Sequence, residues 1–310
     1  MHLVSIDAID ELREYSETAS SVRIGAAMTL TDVARRWRDA PEAFGEWLTL
    51  FASPPIRNRA TLGGNLATAS PIGDAAPLLM EPQHQAELLL ERSINHYSGA
   101  NEQIAARVKK WRGHIELNDR LNHLFTTAIN SDDLTVRIAG IEVDIAARNL
   151  VKDGATVDRL EPIARQGEQG PRVNAMWDLA LIGNRGVEPE RIFEILMSSL
   201  HDDNQNIRYW AVEGLAYLAS DAAIEPLLNM FHDDPSPTIR ERAACGLAQS
   251  GMFSAEQRRK AIPRLLDFAG DGALDDQTHS WVFQALRDIT GQSLPHDARD
   301  WREWYAASRR

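Results

Sequence analysis

The residues of this 310-residue chain best suited to chemistry lie between Phe51 and Asp74. The run reads Phe-Ala-Ser-Pro-Pro-Ile-Arg-Asn-Arg-Ala-Thr-Leu-Gly-Gly-Asn-Leu-Ala-Thr-Ala-Ser-Pro-Ile-Gly-Asp. Gly63-Gly64 lets a backbone approach a ligand closely. Asn65, Thr68, Ser70 and Asp74 set an amide, hydroxyls and a carboxylate around that turn. Free N–H groups, hydroxyl donors and a carboxylate for sugar hydroxyls are what a pyrophosphate with a ribityl chain requires. The bland reading of the same glycines is a tight turn.

Other candidate groups read structurally. Asp202-Asp203 and Asp233-Asp234 recur with a repeat, so helix capping outweighs metal binding. His201 and His232 sit at equivalent repeat positions and read as loop residues; His-Glu dipeptides, which di-iron hydroxylases built on helical repeats use, are absent from the sequence. Trp177, Trp210 and Trp281 read as core or groove-lining residues, with Trp210 the best anchor for a partner. The single cysteine, Cys245, reads as a small apolar residue on a buried helix face. One thiol excludes an intramolecular disulfide, and there is no cysteine cluster for zinc or iron–sulfur. No Ser/His/Asp or Cys/His arrangement and no metal site emerges, so the chain reads as leaning away from an enzyme.

Lys plus Arg is 33 and Asp plus Glu is 45, a formal net charge of −12. An acidic chain with no basic run is a poor nucleic-acid binder and has no polybasic hold on a membrane. No apolar run approaches the ~20 residues of a membrane span, and the N-terminus lacks the features of a signal peptide. A cytoplasmic setting is expected.

The elements that would position these groups fall into three stretches. Residues 1–80 mix β-like and helical runs: Ser21–Ala27 alternates as a half-buried strand, and Thr29 or Thr31 is suited to cap a following helix. Residues 81–130 read as two or three linking helices, broken at Ser98-Gly99-Ala100-Asn101. Beyond about 130 a repeat appears. Aligned on an arginine, it recurs at Arg137, Arg172, Arg208 and Arg240. A small residue follows at Gly140, Ala175, Ala211 and Ala243, and a leucine at Leu179, Leu215 and Leu247. A decayed copy is expected over Gln277–Leu286. The small residues allow close helix approach, the leucines fill a shared core, and each arginine should pair with an acid of its own or a neighbouring repeat.

The phrase Asp-Asp, then Ile-Arg, then Ala resembles HEAT repeats of the short bacterial type sometimes labelled with the phycobilisome lyases. That resemblance implies a mostly α chain, an α-solenoid over 131–310 with a C-terminal cap near Trp301, Trp304 and Tyr305, and a protein partner on its concave face. The Phe51–Asp74 run resembles the FAD-binding domain of molybdenum hydroxylases, the xanthine dehydrogenase and carbon monoxide dehydrogenase medium-subunit family. It implies a small α+β segment over 1–80. It also implies FAD contacts from Thr61, Leu62, Gly63, Gly64 and Asn65 to the diphosphate, from Asp74 to the same cofactor, from Phe51 beside the flavin, and from Thr68 in support. The family's other glycine-rich loop, of the Ala-Gly-Gly-Thr-Asp type, does not occur in these residues, and after Leu79 the sequence turns to helices. The expected cradle is therefore half of the family's.

Two functions follow. The first is a HEAT-repeat interaction scaffold carrying a flavin-domain fragment. The second is a flavin-subunit fragment of a xanthine dehydrogenase-like oxidoreductase, passing electrons with molybdopterin and iron–sulfur subunits. A HEAT-like DNA glycosylase is disfavoured by the charge.

Overall fold

The structure is a computed structural model that describes residues 9–18, 21–41, 44–45, 47–48, 51, 53–67 and 81–308. The chain forms two compact units, Met1–Ala128 and Ile129–Arg310.

The first unit opens with a short hairpin, β1 (Tyr15–Glu17) against β2 (Val22–Ile24), antiparallel with Tyr15 opposite Ile24. Thr29 caps α1 (Leu30–Arg36) by accepting from the Asp32 N–H, so the first of the two candidate caps is the one used. α2 (Pro54–Arg57) and α3 (Leu62–Ala67) follow. Met28, Leu30, Val33, Phe44, Trp47 and Leu62 form the core here. The aromatic series Trp37, Phe44, Trp47 and Phe51 runs through it with centroids 4.6–5.5 Å apart. Three helices then succeed one another: α4 (Pro82–Ile94), α5 (Ala100–Trp111) and α6 (Asp119–Ile129). The break between α4 and α5 falls at Gly99, whose φ of 81° suits a residue without a Cβ.

The second unit is helical throughout its described residues. It begins with α7 (Leu134–Ala147), capped by Asp133. Four antiparallel pairs follow: α8 (Gly154–Gln166) with α9 (Gln169–Asn184); α10 (Pro189–Met197) with α11 (Gln205–Leu218); α12 (Ile224–Asp233) with α13 (Pro237–Cys245); and, beyond the short α14 (Ala255–Arg259), α15 (Ile262–Ala269) with α16 (Asp276–Thr290). A π-helical stretch, Gly246–Ser250, extends α13. The second helices α9, α11, α13 and α16 pack on one another in series. At their contacts lie the small residues Ala175, Ala211 and Ala243 and the leucines Leu179, Leu215 and Leu247, all buried. The Gln277–Leu286 copy lies within α16. α17 (Ala298–Ser308) packs against α15, with Trp301 fully buried and its Nε1 donating to Pro295 O at 2.9 Å.

The copy aligned on Arg137 is the exception to the repeat. α7 does not take the place of a second helix in the stack. It reaches from the first pair to the third: Asp144 accepts from Trp177 Nε1 of α9 at 3.3 Å, Glu142 accepts from Arg185 at 2.7 Å, and Arg137 donates to Gly251 O at 2.8 Å. The physical reason lies in the partner loop. The other repeat arginines find an aspartate in the next pair, whereas the turn after α8 is Gln166-Gly167-Glu168. Among the described residues, no helix is long and apolar enough to cross a membrane.

Candidate functional site

The five contiguous candidates of the first unit sit at the start of α3. Thr61 forms an isolated antiparallel bridge with Thr29, and its Oγ1 accepts from the Gly64 N–H at 3.0 Å. Leu62 N donates to Met28 O, and the Leu62 side chain belongs to the core. Asn65 N donates to Thr61 O at 3.0 Å. The glycine pair answers to close packing: a Cβ on Gly63 would lie 2.5 Å from Ala26 O, and one on Gly64 would lie 2.8 Å from Thr61 Oγ1. Phe51 is separate from this turn in role. It closes the aromatic series against Trp47 at 4.6 Å. Thr68 and Asp74 lie outside the described residues.

The second unit is organised by its arginines. Arg172 Nη1 donates to Asp202 Oδ2 at 2.7 Å, Arg208 Nε to Asp234 Oδ2 at 2.8 Å, and Arg240 Nη2 to Asp275 Oδ2 at 2.8 Å. Each arginine thus reaches the loop or cap of the following pair. Asp202 and Asp234 also accept backbone N–H groups from Asn204 and Ser236, so the recurrent aspartates order the turn and receive the cation together. The hydrogen bond from the Asn204 N–H and the pairing with Arg172 hold the Asp202 carboxyl below its usual range. His201 lies in a turn, as expected. His232 instead lies in the last turn of α12 and bridges Asp233 (2.5 Å) and Asp271 (3.0 Å).

On the second helices, Trp177 is buried and meets Trp210 edge-on at 5.9 Å and Tyr217 at 4.7 Å. Trp210 and Tyr209 remain half-buried. Glu213, pushed up by burial, is paired with Arg242. Where α7 meets α9, Arg148 is shared by two carboxylates: Asp144, fully buried, and Asp178 at 3.3 Å. Burial pushes the Asp178 carboxyl up to about 6, with Asp144 adding to the shift and Arg148 opposing it. Burial raises Asp144 as well. Glu142, nearly buried, is held by Lys152 and Arg185. These α7 acids escaped the sequence reading. The available signal was that Leu134–Ala147 is apolar on nearly every side, the mark of a helix buried all round.

The geometry defines a two-part chain, a small α+β turn-and-helix unit and a stack of helix pairs, and comparison with known proteins agrees in both parts. The family described as FAD binding domain in molybdopterin dehydrogenase matches residues 1–97, and HEAT repeats match residues 157–248 and 193–287. The HEAT matches begin within α8, after α7. Xanthine dehydrogenase 1 of Arabidopsis thaliana is 36% identical over 89 residues, covering 25% of this chain and 6% of that protein. Xanthine dehydrogenase/oxidase of Gallus gallus is 41% identical over 83 residues, covering 23% and 6%. Xanthine dehydrogenase of Emericella nidulans is 35% identical over 253 residues, covering 74% and 18%. The chain thus spans 6% of the length of the first two of these relatives and 18% of the third.

The first family implies FAD, and the described turn tests the fit. Two of the three N–H groups that open α3, those of Leu62 and Gly64, are satisfied within the chain. The space beside Gly63 is filled by Ala26, and the Thr61 hydroxyl already serves as a cap. Among the described residues, the Leu62 and Gly64 N–H groups and the Thr61 hydroxyl of this turn are thus already engaged within the chain. The turn's glycines let α3 close onto the turn before α1.

Proposed function

We propose that this protein is a protein-interaction scaffold in a cytoplasmic setting, a flavin-domain segment over 1–80 and linking helices over 81–130 leading into a HEAT solenoid with its cap over 131–310. The observation that carries this reading is the arginine–aspartate ladder, which locks successive helix pairs into a continuous second-helix face. Such stacks offer extended surfaces to partners. On that face, half-buried Tyr209 and Trp210 lie beside Glu213 and Arg242, the mix of aromatic and charged groups that anchors protein partners. α7 takes up the region around Trp177 and Gly251, which leaves the N-terminal ends of the second helices as the partner's surface. A photo-crosslinking amino acid at Trp210 is expected to give one reproducible protein adduct in cells, whose purified complex Trp210→Ala weakens at least tenfold. Adducts that vary between preparations, or a complex indifferent to Trp210→Ala, would defeat this reading.

The family match over residues 1–97 favours a second reading, an oxidoreductase flavin segment completed by molybdopterin and iron–sulfur partner subunits. A visible absorption spectrum of the purified chain, before and after adding FAD, separates the two. The internal satisfaction of the Thr61–Asn65 turn leads us to expect no flavin band and no shift on addition. A retained yellow band would put electron transfer first.

A further inference from the structure

Three of the four aligned arginines have carboxylate partners; Arg137 does not. Its side chain, buried with its helix, donates to the carbonyls of Ser131, Gly251 (2.8 Å) and Gln249 (3.0 Å). Arg258 of α14 meets the same place from the other side. It donates to Ala248 O, to Phe253 O (3.0 Å), to Gln249 O (2.9 Å) and to Gly251 O (3.0 Å). Two guanidiniums therefore share the carbonyls of Gln249 and Gly251. Among the described residues no carboxylate forms a hydrogen bond or ion pair with either. Burial holds Arg137 below its usual range, and burial together with the Arg137 charge does the same to Arg258. Two adjacent, partly desolvated cations, offset only in part by the more distant charges of Asp132 and Asp288, are an unfavourable arrangement that a bound anion relieves.

Both arginines line a cleft of about 690 Å³, together with Asn130, Leu134, Phe253 and Ile289. Among the described residues the carbonyl bonds number seven, which leaves three of the ten N–H groups on the two forks without a carbonyl partner. Asp132 and Asp288 also border the cleft but are exposed, and Asp288 accepts from Gln249 Nε2 at 2.6 Å. Solvent weakens their charges without cancelling them, so each opposes an anion at the rim of the cleft. A doubly charged oxyanion matches two guanidiniums better than a single carboxylate does. Leu134, Phe253 and Ile289 provide room for an apolar body next to it.

We propose that this cleft binds a small phosphate monoester, its phosphate on Arg137 and Arg258 and its organic part against Leu134, Phe253 and Ile289. A purely structural pair, capping the carbonyls at the end of the π-helical stretch, would leave phosphate unbound. The test is titration calorimetry and thermal unfolding of the full chain with glycerol 3-phosphate and with inorganic phosphate, each against potassium chloride at matched ionic strength. Saturable binding of the ester with a raised Tm is expected, and tighter binding of the ester than of free phosphate. Equal affinity for both would overturn the role given to the apolar wall. Arg258→Gln is expected to weaken ester binding at least tenfold, and Asp288→Asn to tighten it several-fold by removing a negative charge at the rim. Binding no stronger than chloride, or unchanged in the Asp288→Asn chain, overturns the proposal even if Arg258→Gln fails to fold.

Discussion

Gly63 and Asp178 show what single residues cost and contribute. At Gly63 the Cβ position belongs to Ala26, so Gly63→Ala forces the α3 start away from the turn before α1. We expect a loss of about 1–3 kcal/mol, read as a lower midpoint of denaturant unfolding monitored by the fluorescence of Trp37 and Trp47. At Asp178 the folded carboxyl titrates near 6, against an ordinary value of 3.8. The folded chain therefore holds this proton more tightly than the unfolded chain. The group's contribution to stability grows as pH falls from above 6 towards 4, and the cost is fully present at neutral pH. The gain has a ceiling of about 3 kcal/mol, and the titration belongs to Asp178 and Asp144 jointly through Arg148. Unfolding of the wild-type chain against Asp178→Asn between pH 7 and pH 5 checks this: the stability difference between the two should shrink by about 1–2 kcal/mol as the wild type gains. A constant difference would place the proton elsewhere. The glycine pair was legible in the sequence as a special backbone position, but its purpose was not. The same letters serve a ligand or a neighbouring turn, and only the distance to Ala26 separates the two.

Among the elements, the helix pairs were legible because the second and third carry the same parts in full, an aspartate in the turn, an arginine one turn into the second helix, a small residue and a leucine, and the first carries all but the aspartate. The arginine's acidic partner was open between its own and the adjacent repeat, and for Arg172, Arg208 and Arg240 the structure answers with the adjacent one. α7 was misread for a reason equally physical. It carries Arg137 and Gly140 in the expected places, but the next turn supplies no aspartate to receive the arginine. Its apolar residues surround the helix instead of forming a stripe, which fits a helix enclosed by neighbours. The Arg208–Asp234 pair tests the ladder. Asp234 is almost fully buried, so Arg208→Met leaves a carboxylate without its cation and should cost about 3–5 kcal/mol. Adding Asp234→Leu to that variant should recover part of the loss, with urea midpoints as the readout. A double variant less stable than the single would mean that the aspartate's hydrogen bond to the Ser236 N–H matters more than its ion pair.

For the whole molecule, two compact units and two family likenesses meet in one chain, the flavin-domain match ending at residue 97 and the HEAT matches starting at 157. Residues 84–310, expressed alone, should give a helical far-UV circular dichroism spectrum and one sigmoidal melt. A β-rich or gradually melting product would contradict the solenoid. Stacked repeats ordinarily fray from an end, because each pair contacts only its neighbours. α7 removes that freedom: Arg137 and Gly251 are far apart along the chain yet joined by a hydrogen bond, and the same helix holds Trp177 and Arg185 of the first pair. The long loop must close before those contacts form, so the second unit should fold slowly for a stack of helices. Once closed, the first three pairs open together or not at all.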